Sequence, residues 1–181
     1  MRRLCFPPVQ FFSLDSVDST NDAAKRLLCE GAIRDVACVV ATEQTGGRGT
    51  RGRSWASPRG AGIYLSLVHV ADGRAWPVTT AFTQSAAVAC VEALREHTGV
   101  AVGIKPVNDL YSSGRKLGGI LTETVVTGQR VEAIITGIGI NVREAPRPLD
   151  GRDVAATSLQ AEMTSEALER LDVDGLIRAI V

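Results

Sequence analysis

Three arginines and four glycines crowd into Gln44-Thr45-Gly46-Gly47-Arg48-Gly49-Thr50-Arg51-Gly52-Arg53-Ser54-Trp55, and Arg59 follows closely. No aspartate or glutamate occurs between Gln44 and Ala71, so this positive charge has no local counter-charge in the chain. Glycines let backbone N–H groups approach a bound molecule closely. Guanidinium groups add planar, charge-assisted donors suited to phosphate or carboxylate. The pattern predicts an anion-binding loop. The plainer readings are a solvated flexible loop or an RGG-like RNA-binding tract. Placement of the segment between two apolar runs favours a built loop.

A second group is Lys105, Asn108-Asp109-Leu110 and Arg115-Lys116-Leu117-Gly118-Gly119-Ile120-Leu121. The chain has only three lysines against seventeen arginines, and two of the three fall here. A lysine kept in an arginine-rich chain suggests that a compact point charge is wanted. Capping of strand ends is the plain alternative. Asp109 beside Asn108 has the chemistry to hold Mg²⁺ through one carboxylate, although an Asn-Asp pair by itself is more often a turn. The third group is Gly137-Ile138-Gly139-Ile140-Asn141. Alternate glycines clear one face of a strand so that another group can lie against it.

These groups need a scaffold, and the chain has the material for one. It has 181 residues, 45% of them hydrophobic and 22% charged, with zero formal net charge. That composition is globular and predicts a single domain spanning residues 1–181. A neutral chain argues against a general nucleic-acid binder, and no apolar run is long enough to predict a membrane span. The start, MRRLCFPPVQFF, lacks the long apolar region of a secretory signal. An organellar presequence stays open, because the first ten residues contain no acid. Cys5, Cys29, Cys38 and Cys90 form no CxxC pair, and with only His69 and His97 there is no zinc spacing. The expectation is reduced, mostly buried thiols in the cytoplasm.

Phe11 to Leu14, Val36 to Ala41 and Ile63 to Val68 read as strands. Ser19-Thr20-Asn21 sits in an N-cap region before Ala23, Ala24, Leu27 and Leu28 at helical spacing, and Gly31 fits the stop. Val78 to His97 reads as a helix. Val100 to Ile104, Asp109 to Tyr111, Leu117 to Val126 and Val131 to Ile140 read as strands, with turns at Ser112-Ser113-Gly114 and Thr127-Gly128. Ala145 to Asp153 reads as a loop, and Thr164 to Val181 as helices interrupted near Asp172 to Asp174. The fold class is α+β, a mixed and mostly antiparallel sheet packed with helices. The apolar face of Leu176, Ile177 and Ile180 is expected to lie uncovered.

Ser19-Thr20-Asn21, the Gly47-Arg48-Gly49 loop running to Trp55-Ala56-Ser57-Pro58, Asn108-Asp109-Leu110, Lys116-Leu117-Gly118-Gly119-Ile120-Leu121 and Gly137-Ile138-Gly139-Ile140-Asn141 together resemble the biotin protein ligase family. The likeness runs from about residue 14 to residue 141 in the family's order. It implies the biotin/lipoate ligase catalytic fold, and an enzyme that activates biotin with ATP and Mg²⁺ as biotinyl-5′-adenylate. The biotin would then pass to a lysine of a biotin carboxyl carrier domain of a biotin-dependent carboxylase.

The same resemblance implies the residue roles. Lys116 and Arg48 would be catalytic, Lys116 by neutralising charge between carboxylate and phosphate. Ser19, Thr20, Asn21, Gln44, Gly47, Arg48, Gly49, Thr50, Lys116, Gly118, Gly119, Gly137 and Gly139 would surround biotin. Arg51, Trp55, Asn108 and Asn141 would meet the nucleotide, and Asp109 would hold Mg²⁺. Three departures stand out. Pro106-Val107 replaces the family's usual Trp-Pro before Asn108, Thr50 stands where another arginine is usual, and neither an N-terminal winged helix nor a C-terminal small β-domain is expected. DNA binding is therefore not implied, while a homodimer is allowed. The rivals are a lipoate or octanoyl ligase on the same scaffold, and a catalytically degenerate, biotin-binding relative.

Overall fold

The computed structural model describes residues 9–71, 79–145 and 155–181. Seven strands form one sheet: β1 (Gln10–Val17), β2 (Val36–Gln44), β3 (Gly62–Val70), β4 (Gly103–Lys105), β5 (Asp109–Ser112), β6 (Arg115–Thr127) and β7 (Arg130–Asn141). Their order is β1-β2-β3-β7-β6-β5-β4. Only β1 and β2 run parallel, joined through helix α1 (Thr20–Cys29); every other pairing is antiparallel. The sheet is mixed and mostly antiparallel, as the alternation of short apolar runs and turn residues predicts.

The long β6–β7 hairpin turns at Gly128 (φ 62°), and the β5–β6 hairpin turns through Ser113 (φ 50°) and Gly114 (φ 73°). Two consecutive left-handed residues match the right-handed twist of the strands they join, and both hairpins fall at the expected turns.

Period-2 alternation sorts the strand side chains onto two faces. Ile63, Leu65, Ile138 and Ile140 pack on one face with Leu117, Ile120 and helix α2 (Thr79–Thr98). The small residues Ala86, Ala87, Cys90 and Ala93 let α2 lie close to the sheet. Ala37, Val39, Val68, Ala133 and Ile135 form the other face, covered by Ala23 and Ala24 of α1. Cys38 and Cys90 are buried, and burial pushes both thiols up to about 12; Cys29 is exposed.

Three short helices complete the described chain: α3 (Leu159–Glu162), α4 (Ser165–Glu169) and α5 (Val173–Ile180). Asp172 caps α5 by accepting from the Gly175 N–H at 2.9 Å, which is why the helical stretch breaks there. The apolar face of α5 is not left uncovered. Leu176, Ile177 and Ile180 are at most 8% exposed and join the core beside α2. Two further expectations need correction. Val100 to Val102 lie outside the sheet, since Thr98 turns the chain by accepting the Val100 N–H at 3.1 Å, leaving β4 only three residues. Helix α3 is too short for apolar periodicity to betray it. The expected loop falls mostly in 146–154, outside the described residues, as does Val78.

Candidate active site

On the α1 side of the sheet Gly119 meets the alternate glycines Gly137 and Gly139. Gly119 of β6 sits opposite Gly139 of β7, and Leu121 opposite Gly137, with Ser66 of β3 on the far side of Gly137. The result is a bare strip two strands wide. The Trp55 indole lies on it: a Cβ on Gly139 would stand 2.5 Å from Trp55 Nε1, and one on Gly119 would stand 3.4 Å from Trp55 Cζ3. Gly137 is equally committed, because a Cβ there would stand 2.5 Å from Asn21 Oδ1.

Above the strip is a cleft open to solvent. Its walls come from the start of α1 (Ser19, Thr20, Asn21), from Gln44, and from the loop residues Arg48, Gly49, Thr50, Arg53, Ser54 and Trp55. The opposite wall is Asn108, Lys116, Gly119, Ile120 and Leu121, with Gly137, Ile138 and Gly139 beneath. Segments far apart in sequence thus converge on one site.

The polar end is built by α1. Ser19 occupies the N-cap position but its side chain makes no cap bond. Instead Gln44 Oε1 accepts from the Thr20 N–H (2.8 Å) and the Thr20 hydroxyl (3.1 Å), while Gln44 Nε2 donates to Ser57 Oγ (2.7 Å). Asn21 is buried; it accepts from Ser66 Oγ (2.6 Å) and donates to Glu123 Oε2 (2.7 Å) and the Leu121 carbonyl (3.3 Å). Such a network fixes donors and acceptors at the cleft rim.

The loop cations are not all left waiting for a ligand. Arg48 Nη2 donates to both Asp22 (2.8 Å) and Glu123 (2.9 Å), and Arg59 pairs with Asp15 and Glu43. The acids missing from the loop's own sequence are supplied by α1, β1, β2 and β6. Arg53 folds back on Thr50, donating to its carbonyl (3.0 Å) and hydroxyl (2.9 Å). Arg51 is exposed and left-handed (φ 60°) and does not line the cleft.

At the other end, Lys116 Nζ lies 2.6 Å from Asp109 Oδ1 and 5.5 Å from the Trp55 ring centre. Asn108 donates to the Ile120 carbonyl at 2.9 Å, tying β5's entry to β6. Trp55 Nε1–H is buried with no acceptor among the described residues. Leaving such a donor unmade costs about 1–3 kcal/mol.

Not every expected residue reaches the cleft. Gly118 is on the opposite sheet face, where a Cβ would meet Leu110 at 3.1 Å, because alternation separates it from Gly119. Gly47 lies behind the cleft wall; a Cβ there would collide with the Trp55 carbonyl. Asn141 is buried, and its amide donates to the Thr157 carbonyl at 2.9 Å, so it builds the scaffold behind Lys116. Asp109 touches the site through Lys116 and is not itself a wall residue. Among the described residues no group of three or more His, Cys, Asp or Glu is disposed around a metal position. Sequence reading missed Glu123, Asp22, Ser66 and Ser57. Glu123 carries one signal: two residues beyond Leu121 on a strand, it must face the same side.

A model of the biotin/lipoate A/B protein ligase family matches residues 13–141. The chain is 37% identical over 171 residues to the bifunctional ligase/repressor BirA of Bacillus subtilis, covering 92% of this chain and 50% of that protein. It is 36% identical over 135 residues to the biotin--[acetyl-CoA-carboxylase] ligase of Paracoccus denitrificans, covering 74% and 55%. The chain therefore spans about half the length of the curated relatives it matches. Among solved structures, the Leishmania major biotin protein ligase in complex with biotinyl-5-AMP superposes with a TM-score of 0.74 at 25% identity, over 96% of this chain and 74% of that one. The Aquifex aeolicus biotin protein ligase in complex with biotin and ATP gives 0.69 at 27% identity, over 94% and 68%.

Proposed function

We propose that this chain, which belongs to the biotin/lipoate A/B protein ligase family, is an ATP-dependent biotin–protein ligase. The observation that carries the reading is the Lys116 ammonium, held 2.6 Å from Asp109 at the end of a cleft whose other end is a fixed polar rim. A carboxylic acid bound with its polar ring at that rim would extend along the cleft, past Trp55, toward Lys116. Relatives named for biotin, and structures of relatives with biotin, ATP or biotinyl-5-AMP bound, support the same substrate.

The first step joins a biotin carboxylate oxygen to the α-phosphorus of ATP and breaks the bond to the bridging oxygen, so pyrophosphate leaves. Both reacting groups are anionic. Lys116 is assigned to neutralise the charge that builds between them, and a preorganised cation in a restricted site is worth far more than one in water. Arg48 and the Gly49 backbone would close over biotin and the adenylate. Thr20, Asn21 and Gln44 would hold the ureido ring, which needs both donors and acceptors. Trp55 and Asn108 would flank the adenylate. In the second step an acceptor lysine amine attacks the acyl carbonyl, its proton is lost and AMP departs. The acceptor we assign is a carrier domain of a biotin-dependent carboxylase.

Mg²⁺ would arrive with the nucleotide. Asp109 offers one carboxylate, already paired with Lys116, so triphosphate oxygens would supply most of the coordination. Among the described residues no helix is long and apolar enough to cross a membrane, and cytoplasmic residence is our assignment. The test is biotin-dependent exchange of labelled pyrophosphate into ATP, which needs no acceptor. Exchange driven by lipoate or octanoate but not by biotin would move the chain to the sister activity. No exchange with any of them would leave a binding protein.

A further inference from the structure

Both backbone polar groups of Lys116 are committed to one short segment lying beside β6. The Lys116 N–H donates to the Ala155 carbonyl (2.9 Å) and its carbonyl accepts from the Thr157 N–H (2.8 Å), forming a parallel bridge at Ala156. Thr157 is the anchor of that segment and is 1% exposed. Its carbonyl takes the Asn141 amide, and its hydroxyl donates to Glu162 Oε1 at 2.6 Å.

Glu162 does more than hold Thr157. Its side chain, 8% exposed, also accepts from Arg115 Nη2 at 2.8 Å on Oε1, and from Ser112 Oγ (3.1 Å) and Ser113 Oγ (2.8 Å) on Oε2. Each oxygen thus has two donors, which fills its lone-pair sites. Three of the four donors belong to the turn that leads directly into Lys116. The fourth belongs to the segment that fixes the Lys116 peptide from the side. One nearly buried carboxylate therefore ties together the two backbone pieces that set where the Lys116 side chain begins.

Resting on the reading of Lys116 as the adenylation residue, we infer that Glu162, acting through Thr157, is a positioning residue for Lys116. It sets the position of the first residues of β6 so that the ammonium stands beside Asp109 and over the cleft. Displacement of a reacting group by about 1 Å can cost on the order of a hundredfold in rate, so a clamp of this kind acts on catalysis even though it touches no substrate. A purely structural staple between α3 and the hairpin is the competing account. It predicts lower melting temperature with activity intact in the folded fraction.

The experiment uses the intact chain with Thr157→Val, which removes the hydroxyl at nearly constant shape, Thr157→Ser, which keeps it, and Glu162→Gln. Exchange kcat, biotin KM, melting temperature and the acetylation rate of Lys116 by acetic anhydride are measured for each. For Thr157→Val the expected result is kcat lowered by about tenfold, biotin KM within about twofold of wild type and Lys116 acetylated faster, with Thr157→Ser close to wild type. Wild-type kcat and unchanged Lys116 reactivity in Thr157→Val would overturn the inference, as would a loss explained entirely by the unfolded fraction. Should Thr157→Val not fold, Glu162→Gln decides by the same two readouts. If the wild type shows no biotin-dependent exchange, the functional reading fails, and Lys116 reactivity alone then decides the positioning role.

Discussion

Lys116 and Asp109 face each other across the β5–β6 pairing, ammonium to carboxylate at 2.6 Å, each side chain about one-fifth exposed (20% and 23%). The pair holds the positive charge at a fixed place before any anion enters, while its partial exposure keeps its contribution to folding small. Lys116→Ala is expected to lower biotin-dependent exchange by about 10²–10³-fold, the scale of losing one preorganised stabilising group. Stability should change by no more than about 1 kcal/mol. Exchange kinetics and thermal melts on the same preparation check both halves, and a folded Lys116→Ala protein with near wild-type exchange contradicts the assignment.

Gly137→Ala tests the floor of the cleft. The added methyl would stand 2.5 Å from Asn21 Oδ1, an atom already held by Ser66 at 2.6 Å. Asn21 cannot yield without breaking its bonds to Glu123 and Leu121. Overpacking of this kind costs about 1–3 kcal/mol, and biotin affinity should fall with it. Calorimetric titration together with a denaturant melt reads both; unchanged values would mean that α1 shifts freely.

The loop gives a proteolytic prediction. Arg48 is pinned by two carboxylates and Arg53 by Thr50, whereas Arg51 is exposed. Trypsin should cut first after Arg51, and biotin, ATP and Mg²⁺ together should slow that cut, because bound anions give the loop further partners. Primary cleavage after Arg48, or a rate indifferent to saturating ligands, would count against this picture of the loop.

The Glu162 carboxyl is held below its ordinary 4.5, mainly by the Thr157 hydroxyl, with smaller help from Ser113, Ser112 and Arg115 and opposition from burial. Its folded pKa is thus lower than its unfolded one, so the unfolded chain binds the proton first on acidification. The group's contribution to stability is fully present above the unfolded value and is lost as pH falls through the folded one. The melting-temperature gap between wild type and Glu162→Gln should stay level through neutral pH and shrink below pH 4.5. A gap that widens in acid would reverse the sign.

Much of the site is local enough to read from the chain. Left-handed turns mark both hairpins, alternate glycines mark the bare strip, and the arginine loop betrays itself by composition. What escapes is set by long-range pairing. Glu123 meets Asn21 across 102 positions, and nothing beside either residue records the other. Asn141 shares strand parity with Gly137 and Gly139, so the sequence places it at the cleft. It fails to get there because the 155–157 segment covers the end of β7 and takes its amide. Glu162 lies between the expected loop and the expected helices and carries no mark of its own until Ser112, Ser113 and Arg115 are brought to it.

The clamp on Lys116 also orders events during synthesis. The polar rim needs the sheet through β7, which ends at Asn141, but the Lys116 peptide is not fixed until Ala155, Thr157 and Glu162 have emerged. A nascent chain halted before Glu162 would carry a cleft whose Lys116 peptide is not clamped from the side, although its ammonium can still meet Asp109.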